Sequence, residues 1–239
     1  MGEGNTDVTP PPVDAATVRQ RLSMLRARIA AAGANPDTVE VLAVTKGHPY
    51  SVVPVALAAG LVQLGENYAQ ELVAKATSVG LQAGPGPRWH FIGRLQTNKV
   101  RLLAPHVHLW QSLDRSELVA EVARRAPGAH VLIQVNPNVE PGATEPGRAG
   151  KGGCAPQQVG ELLALSSAAG LVVEGLMTVG PTDADADPRP GFELVRALVD
   201  RFGLARCSMG MSEDLEAAVR CGSTMVRVGT ALFGPRTRP

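Results

Sequence analysis

The chain has 239 residues, 44% of them hydrophobic and only 3% aromatic, so one large core would be built mainly from Val, Leu and Ala. Its net charge of +1 gives no electrostatic case for a nucleic-acid or membrane partner. Cys154, Cys207 and Cys221, odd in number and widely spaced, exclude a disulfide framework and a zinc pattern and point to a reducing cytoplasm.

Residues 1–12, MGEGNTDVTPPP, lack the order of a secretory signal and read as a disordered tail; the folded unit is residues 13–239. Apolar positions from Val18 through Leu22, Leu25 and Ile29 keep helical spacing, with Asp14 as N-cap and Gly33 as the stop. Strand and helix patterns then alternate. The strands are Val41–Thr45, Leu61–Gly65, Trp89–Ile92, Val107–Gln111, His130–Val135, Val172–Met177, Arg206–Met209 and Thr224–Val228. The helices lie near Pro54–Ala59, Ala69–Val79, Thr97–Leu103, Arg115–Arg125, Pro156–Ala169, Phe192–Phe202 and Glu213–Cys221. No apolar run reaches the length of a membrane span. Several strands are short continuous apolar runs, as in a parallel sheet covered on both faces. Eight of them with intervening helices fit a single-domain (β/α)8 barrel, an α/β fold; a doubly wound open sheet is the alternative. The irregular stretch Asn136–Gly153 reads as a mobile loop after the fifth strand.

In a barrel, ligand groups gather where strands end. Lys46 ends the first strand in VLAVTKGHP. Alone, it reads most simply as a surface lysine reaching water. Packed at an apolar mouth, its amine would lose pKa and become a Schiff-base nucleophile. In SMGMSEDLEAA, Ser212 is a good N-cap with acidic residues in the first turn, which suffices as a structural explanation. The same helix start could also meet a phosphate. In MVRVGTALFG, Arg227 sits inside an apolar strand and needs a partner, an ion pair across the barrel or a ligand. Gly229 and Thr230 follow it, and the last two turns of a barrel are its habitual phosphate site. GENYAQE reads as a turn with caps, His90 in WHFIG as core, and HVH at His106–His108 as two imidazoles on one strand face without the ligands to complete a metal shell. The loop glycines before Lys151 lack P-loop spacing, since Glu145 stands where the first glycine belongs.

Together AVTKGHP, GENYAQE, WHFIGRLQTNK and SMGMSEDLEAAVRCGSTMVRVGTALFG resemble the YggS/PROSC family of pyridoxal 5′-phosphate-binding proteins, the pyridoxal phosphate homeostasis proteins, over nearly the whole chain. Departures are Thr45 for the usual serine, Arg94 where proline is common, and a lengthened loop before Lys151. The resemblance implies a single-domain TIM barrel of the alanine racemase N-terminal type with pyridoxal 5′-phosphate as cofactor and no metal. Carried over, Lys46 would hold the cofactor aldehyde as an internal aldimine. Ser212, Gly229 and Thr230 would hold the phosphate, with Met211 beside it. Arg227 would face the pyridine nitrogen, Asn67 would line the pocket, and His90 and Ile92 would sit at its mouth.

An arginine facing the ring nitrogen keeps it largely unprotonated and the ring a poor electron sink. The chain ends at Pro239, soon after the eighth strand, so no second domain is expected to supply an opposing base. The leading expectation is a cytoplasmic, monomeric carrier or regulator of the cofactor in vitamin B6 homeostasis, without catalytic turnover. Its partners would be the cofactor and the apo-enzymes that use it, not nucleic acid or membrane. The alternatives are a pyridoxal-phosphate amino-acid racemase using Tyr68 or His90 as base, and a barrel aldolase acting through Lys46 directly.

Overall fold

A computed structural model describes residues 13–78, 86–138, 152–181, 183 and 185–236. The tail at residues 1–12 and most of the Asn136–Gly153 loop, including Lys151, lie outside the described residues.

Eight parallel strands close on themselves in sequence order: β1 Glu40–Val44, β2 Gln63–Glu66, β3 Arg88–Phe91, β4 Val107–Leu113, β5 His130–Gln134, β6 Val172–Met177, β7 Arg206–Ser208 and β8 Met225–Val228. Pairing of β1 with β8, Leu42 opposite Arg227, removes the sheet edges and excludes the open-sheet alternative. The covering helices are α1 Ala15–Ala31, α2 Val52–Ala58, α3 Ala69–Ser78, α4 Thr97–Leu103, α5 Ser116–Arg125, α6 Val159–Ala168, α7 Arg189–Arg201, α8 Leu215–Arg220 and α9 Thr230–Phe233. Among the described residues no helix is long and apolar enough to cross a membrane.

α1 precedes the barrel and fastens its first unit to its last. The Asp14 carboxylate accepts from the Thr17 N–H at 2.7 Å, and Gly33 stops the helix at φ +97°. Its apolar stripe Val18, Leu22, Leu25 and Ile29 is buried. Each such side chain contributes about 1.5–3 kcal/mol by leaving water. Its polar face reaches the other end of the chain: Arg21 donates to the Leu232 carbonyl at 3.0 Å, and Arg28 forks onto Glu216 at 2.6 and 2.9 Å.

Period-two alternation divides every strand between two cores. One side chain set packs outward against the helices. The other fills the barrel, where Leu42, Leu109, Leu132, Met177 and Met225 form an apolar layer carrying Ile92 and Val179. Below that layer, at the strand starts, lies a polar belt. Arg206 pairs with Glu40 and with Glu174 (2.6 Å), and Glu174 pairs with His130. The His130 ring stacks on His108 at 6.1 Å, and His108 lies 6.2 Å from His90. His106 falls before β4, so the two imidazoles of HVH do not share a strand face.

Candidate functional site

The C-terminal strand ends bring together Lys46, Asn67, Ile92, Met211, Ser212, Arg227, Gly229 and Thr230, from five of the eight βα units. Lys46 follows β1 directly and is half-buried. Burial, reinforced by the guanidiniums of Arg236 and Arg227, holds its pKa below the ordinary lysine value, with Glu66 acting in the opposite sense. A larger share of the amine is therefore uncharged and nucleophilic at a given pH.

The backbone on both sides of Lys46 is pinned from α3. Lys75, only 3% exposed, donates from Nζ to the Thr45 carbonyl at 2.7 Å and to Glu66 Oε1 at 2.6 Å. The Thr45 hydroxyl donates to the same carboxylate oxygen at 2.6 Å. On the other side, the Gly47 N–H donates to Glu71 Oε2 at 2.9 Å. Gly47 turns at φ +72°, which favours glycine, and this turn lifts the chain off the strand immediately after the amine. His48 then packs edge-on against Phe233 of α9, at 5.6 Å between ring centres. Burial raises the Glu66 carboxyl above the ordinary glutamate value, and the Lys75 ammonium opposes this. Threonine in place of serine at position 45 keeps the hydroxyl that this cluster needs.

Arg227 is buried inside the barrel mouth without an ion-pair partner among the described residues. Nη1 donates to the Ser208 carbonyl at 2.7 Å and to Ser208 Oγ at 2.9 Å, and Nη2 donates to the Thr178 carbonyl at 2.6 Å. Burial lowers its pKa to about 10, so it stays cationic at neutral pH. The ion pair across the barrel, one of two readings of its sequence position, is not what the structure shows. Neutral acceptors hold the guanidinium directly, and the carboxylate of Asp214 offsets its charge only from a distance.

The loops around these two cations are close-packed. A Cβ on Gly93 would meet the Asn67 carbonyl at 1.9 Å, and one on Gly229 would meet the Val44 carbonyl at 2.9 Å. Asn67 is half-buried, and its Oδ1 is a buried acceptor with no partner among the described residues. The β7–β8 connection is stitched to β8 by the Arg227 N–H, which donates to the Gly210 carbonyl at 2.9 Å. Met211 stands at the rim, 38% exposed, and its N–H donates to Asp214. Ser212 is half-buried; its carbonyl accepts from Arg28 at 3.0 Å. Gly229 and Thr230 begin the one-turn helix α9.

The sequence matches the alanine racemase N-terminal domain family over residues 13–237. The pyridoxal phosphate homeostasis protein of Pseudomonas aeruginosa is 39% identical over 232 residues, covering 92% of this chain and 96% of the relative. The chain belongs to this family. Its namesake in Escherichia coli K12 is 34% identical over 236 residues, covering 92% of this chain and 97% of that one. PipY of Synechococcus elongatus, in its structure with PLP bound, is 32% identical with a TM-score of 0.73 and covers 91% of this chain and 100% of its own.

Two of the expectations, one from the resemblance and one from the residues themselves, shift on this framework. His90 does not sit at the mouth. It is 1% exposed within the barrel, its two ring nitrogens bonded to Gln63 at 2.9 Å and to Gln111 at 2.7 Å, while Ile92 two residues later is the one that reaches the apolar layer under the mouth. Burial, with His108 and the guanidiniums of Arg206 and Arg88 nearby, lowers its pKa to about 3. Ser212 is not the N-cap of the seventh predicted helix, because α8 starts only at Leu215 with Asp214 before it. Ser212 instead belongs to the loop that closes over β7. Sequence reasoning missed Lys75, Glu66, Gln111 and Ser208. A polar residue at the interior parity of an apolar strand was the available signal for Gln111 and Ser208; for Lys75 it was the i,i+4 spacing from Glu71.

Proposed function

We propose that the chain binds pyridoxal 5′-phosphate reversibly and covalently through Lys46 and acts in cytoplasmic vitamin B6 homeostasis, as a monomer without catalytic turnover, delivering the cofactor to apo-enzymes. The observation that carries this reading is a lysine amine of lowered pKa, pinned by its own backbone, beside a buried guanidinium held only by neutral acceptors. These residues fit the cofactor. Asn67 Oδ1, without a partner among the described residues, and the guanidinium of Arg227, in direct contact with neutral acceptors only, are groups that a polar anionic ligand satisfies. When bound, the cofactor would supply an aldehyde, the electrophile with which the Lys46 amine would condense at the cost of one water released.

The protein's residues then have separate tasks. Lys46 fixes the aldehyde end and Arg227 offers N–H groups to the ring nitrogen. Ser212, Gly229 and Thr230 hold the phosphate from the two last loops, with Met211 beside them. Asn67 and Ile92 line the pocket. Arginine holds its own proton tightly, so it donates to the ring nitrogen without protonating it, which suits storage better than carbanion chemistry. The racemase reading needs a second base. Tyr68 is 59% exposed and both ring nitrogens of His90 are engaged, which favours the carrier reading.

Borohydride reduction of the protein incubated with pyridoxal 5′-phosphate, followed by peptide mapping, tests the assignment. The pyridoxyl group is expected on the peptide containing Lys46, and its absence there would sink the reading. Deuterium wash-in at the α-carbon of a panel of amino acids tests turnover, and efficient exchange would restore the racemase.

A further inference from the structure

Behind Arg227 a run of hydrogen bonds crosses the barrel: Arg227 to Ser208 Oγ (2.9 Å), Ser208 to Gln111 (2.8 Å), Gln111 to His90 (2.7 Å), and His90 to Gln63 (2.9 Å). Ser208, Gln111 and His90 are 0–1% exposed. Residues from β8, β7, β4, β3 and β2 take part in turn.

The chemistry of the first member fixes the direction of the whole run. A guanidinium only donates, so Ser208 Oγ accepts from it and must turn its own proton elsewhere. The proton goes to Gln111 Oε1. The opposite end of that amide faces Met225 Sδ at 3.2 Å, a weak acceptor that suits an NH2 group and disfavours an oxygen. The amide therefore has its NH2 toward His90 as well, and donates to Nδ1. An imidazole that accepts at Nδ1 carries its proton at Nε2, and that N–H donates to Gln63 Oε1. Every bond in the run points away from the mouth. Of the five N–H groups of Arg227, three are spent on Ser208 O, Ser208 Oγ and Thr178 O, which leaves two for a ligand.

We propose that Ser208, Gln111 and His90 are positioning residues for the ring nitrogen of the ligand: a one-way chain of neutral groups anchors the inner edge of Arg227 and presents its remaining N–H groups toward the mouth. The inference rests on the pyridoxal-phosphate reading for what meets the outer edge, but not for the chain itself. A carboxylate in place of Gln111 would anchor the arginine as well and cancel its charge. The neutral chain anchors it and preserves that charge.

Two measurements test the chain. Nitrogen-15 NMR of the imidazoles, on the full chain without added ligand at neutral pH, should show His90 protonated at Nε2 only, its signal assigned by substituting each of the five histidines in turn. A proton on Nδ1 overturns the proposal. The Gln111→Glu variant should move that proton to Nδ1, since a carboxylate can only accept there; an unchanged tautomer also overturns it. In the second measurement, Ser208→Ala should bind pyridoxal 5′-phosphate roughly tenfold more weakly, the scale of one hydrogen bond to a charged group. It should bind a deaza analogue, with C–H in place of the ring nitrogen, as well as the unmodified protein does. Ser208→Thr, which keeps the hydroxyl, should restore the loss. An equal loss for both ligands, or none for either, refutes the positioning role. If the unmodified protein yields no reducible adduct on Lys46, the cofactor reading fails, and the tautomer result still judges the chain on its own.

Discussion

Lys75→Met is the sharpest test of how the nucleophile is held. The substitution keeps most of the apolar stem and removes the ammonium that touches Glu66 at 2.6 Å, the Thr45 carbonyl at 2.7 Å and Glu71 at 3.3 Å. Glu66 is fully buried, and its Oε2 already has no partner among the described residues. Breaking a buried pair by deleting one member costs about 3–5 kcal/mol, because the remaining charge is left in a poor solvent. The contact to Glu71, one-third exposed, adds only about 0.3–0.5 kcal/mol. At roughly 2–4 °C per kcal/mol for a chain of this size, the melting midpoint should fall by about 6–20 °C. The double variant Glu66→Gln, Lys75→Met removes the orphaned charge and should recover most of that loss. Thermal and urea unfolding of the single and double variants measure the coupling. A second readout is the rate at which Lys46 condenses with pyridoxal 5′-phosphate in the double variant. It should remain depressed although stability has returned, since the Thr45 carbonyl has lost its anchor. A single variant costing less than about 1 kcal/mol, or a double variant as unstable as the single, would refute the buried-clamp argument.

Lys46→Ala should abolish the yellow colour and the reducible adduct while leaving the melting midpoint nearly unchanged, because the side chain is half-buried and makes no ion pair among the described residues. Its lowered pKa places the rise in condensation rate with pH below that of a free lysine of pKa 10.5, as stopped-flow absorbance can follow. His90 takes up its proton near pH 6.5 in the unfolded chain but only near pH 3 in the folded one. Between those values the unfolded state binds the extra proton, so stability falls as pH drops, by about 2 kcal/mol from this group between pH 6.5 and 5. Urea titrations at both pH values should show that slope, and a folded His90→Gln variant should lose that part of it. Gly93→Ala drives a Cβ to 1.9 Å from the Asn67 carbonyl, a backbone atom that cannot step aside. It should cost about 3 kcal/mol or more and weaken cofactor binding with it, measured by unfolding and by fluorescence titration.

The barrel was legible in the sequence because its strands are short apolar runs bounded by turn residues. β6 has the bounds read from Val172–Met177, and the other seven shift by two residues or fewer at either end. The misses have local causes. α2 begins before Pro54, at Val52, because a proline in the first turn loses an N–H that has no helical acceptor anyway. α9, four residues long, is too short to show a period. Ser212 has the side chain of an N-cap, but its carbonyl is claimed by Arg28, from 184 residues earlier in the chain, and no local pattern reports such a contact. The site was legible in outline from Lys46, Arg227 and the Gly229–Thr230 turn. Its supports were not. Lys75 sits in a helix with the same i,i+4 acidic partner that an exposed lysine has, and only the closed barrel reveals that α3 turns it inward against Glu66. For His90 the residues alone read as core, as the structure has it, and only the resemblance placed it at the mouth beside Ile92; two residues along a strand is one full step in depth.

The stapling of α1 to α8 and α9 bears on when the protein becomes competent. Lys46 leaves the ribosome long before Arg227, Gly229 and Thr230. The contacts that draw them together span 184 to 211 positions. Such distant pairings are slow to form, because loop-closure entropy opposes them. A nascent chain that stops short of β8 therefore has the lysine without the anchors, and cofactor capture becomes a report that the barrel has closed.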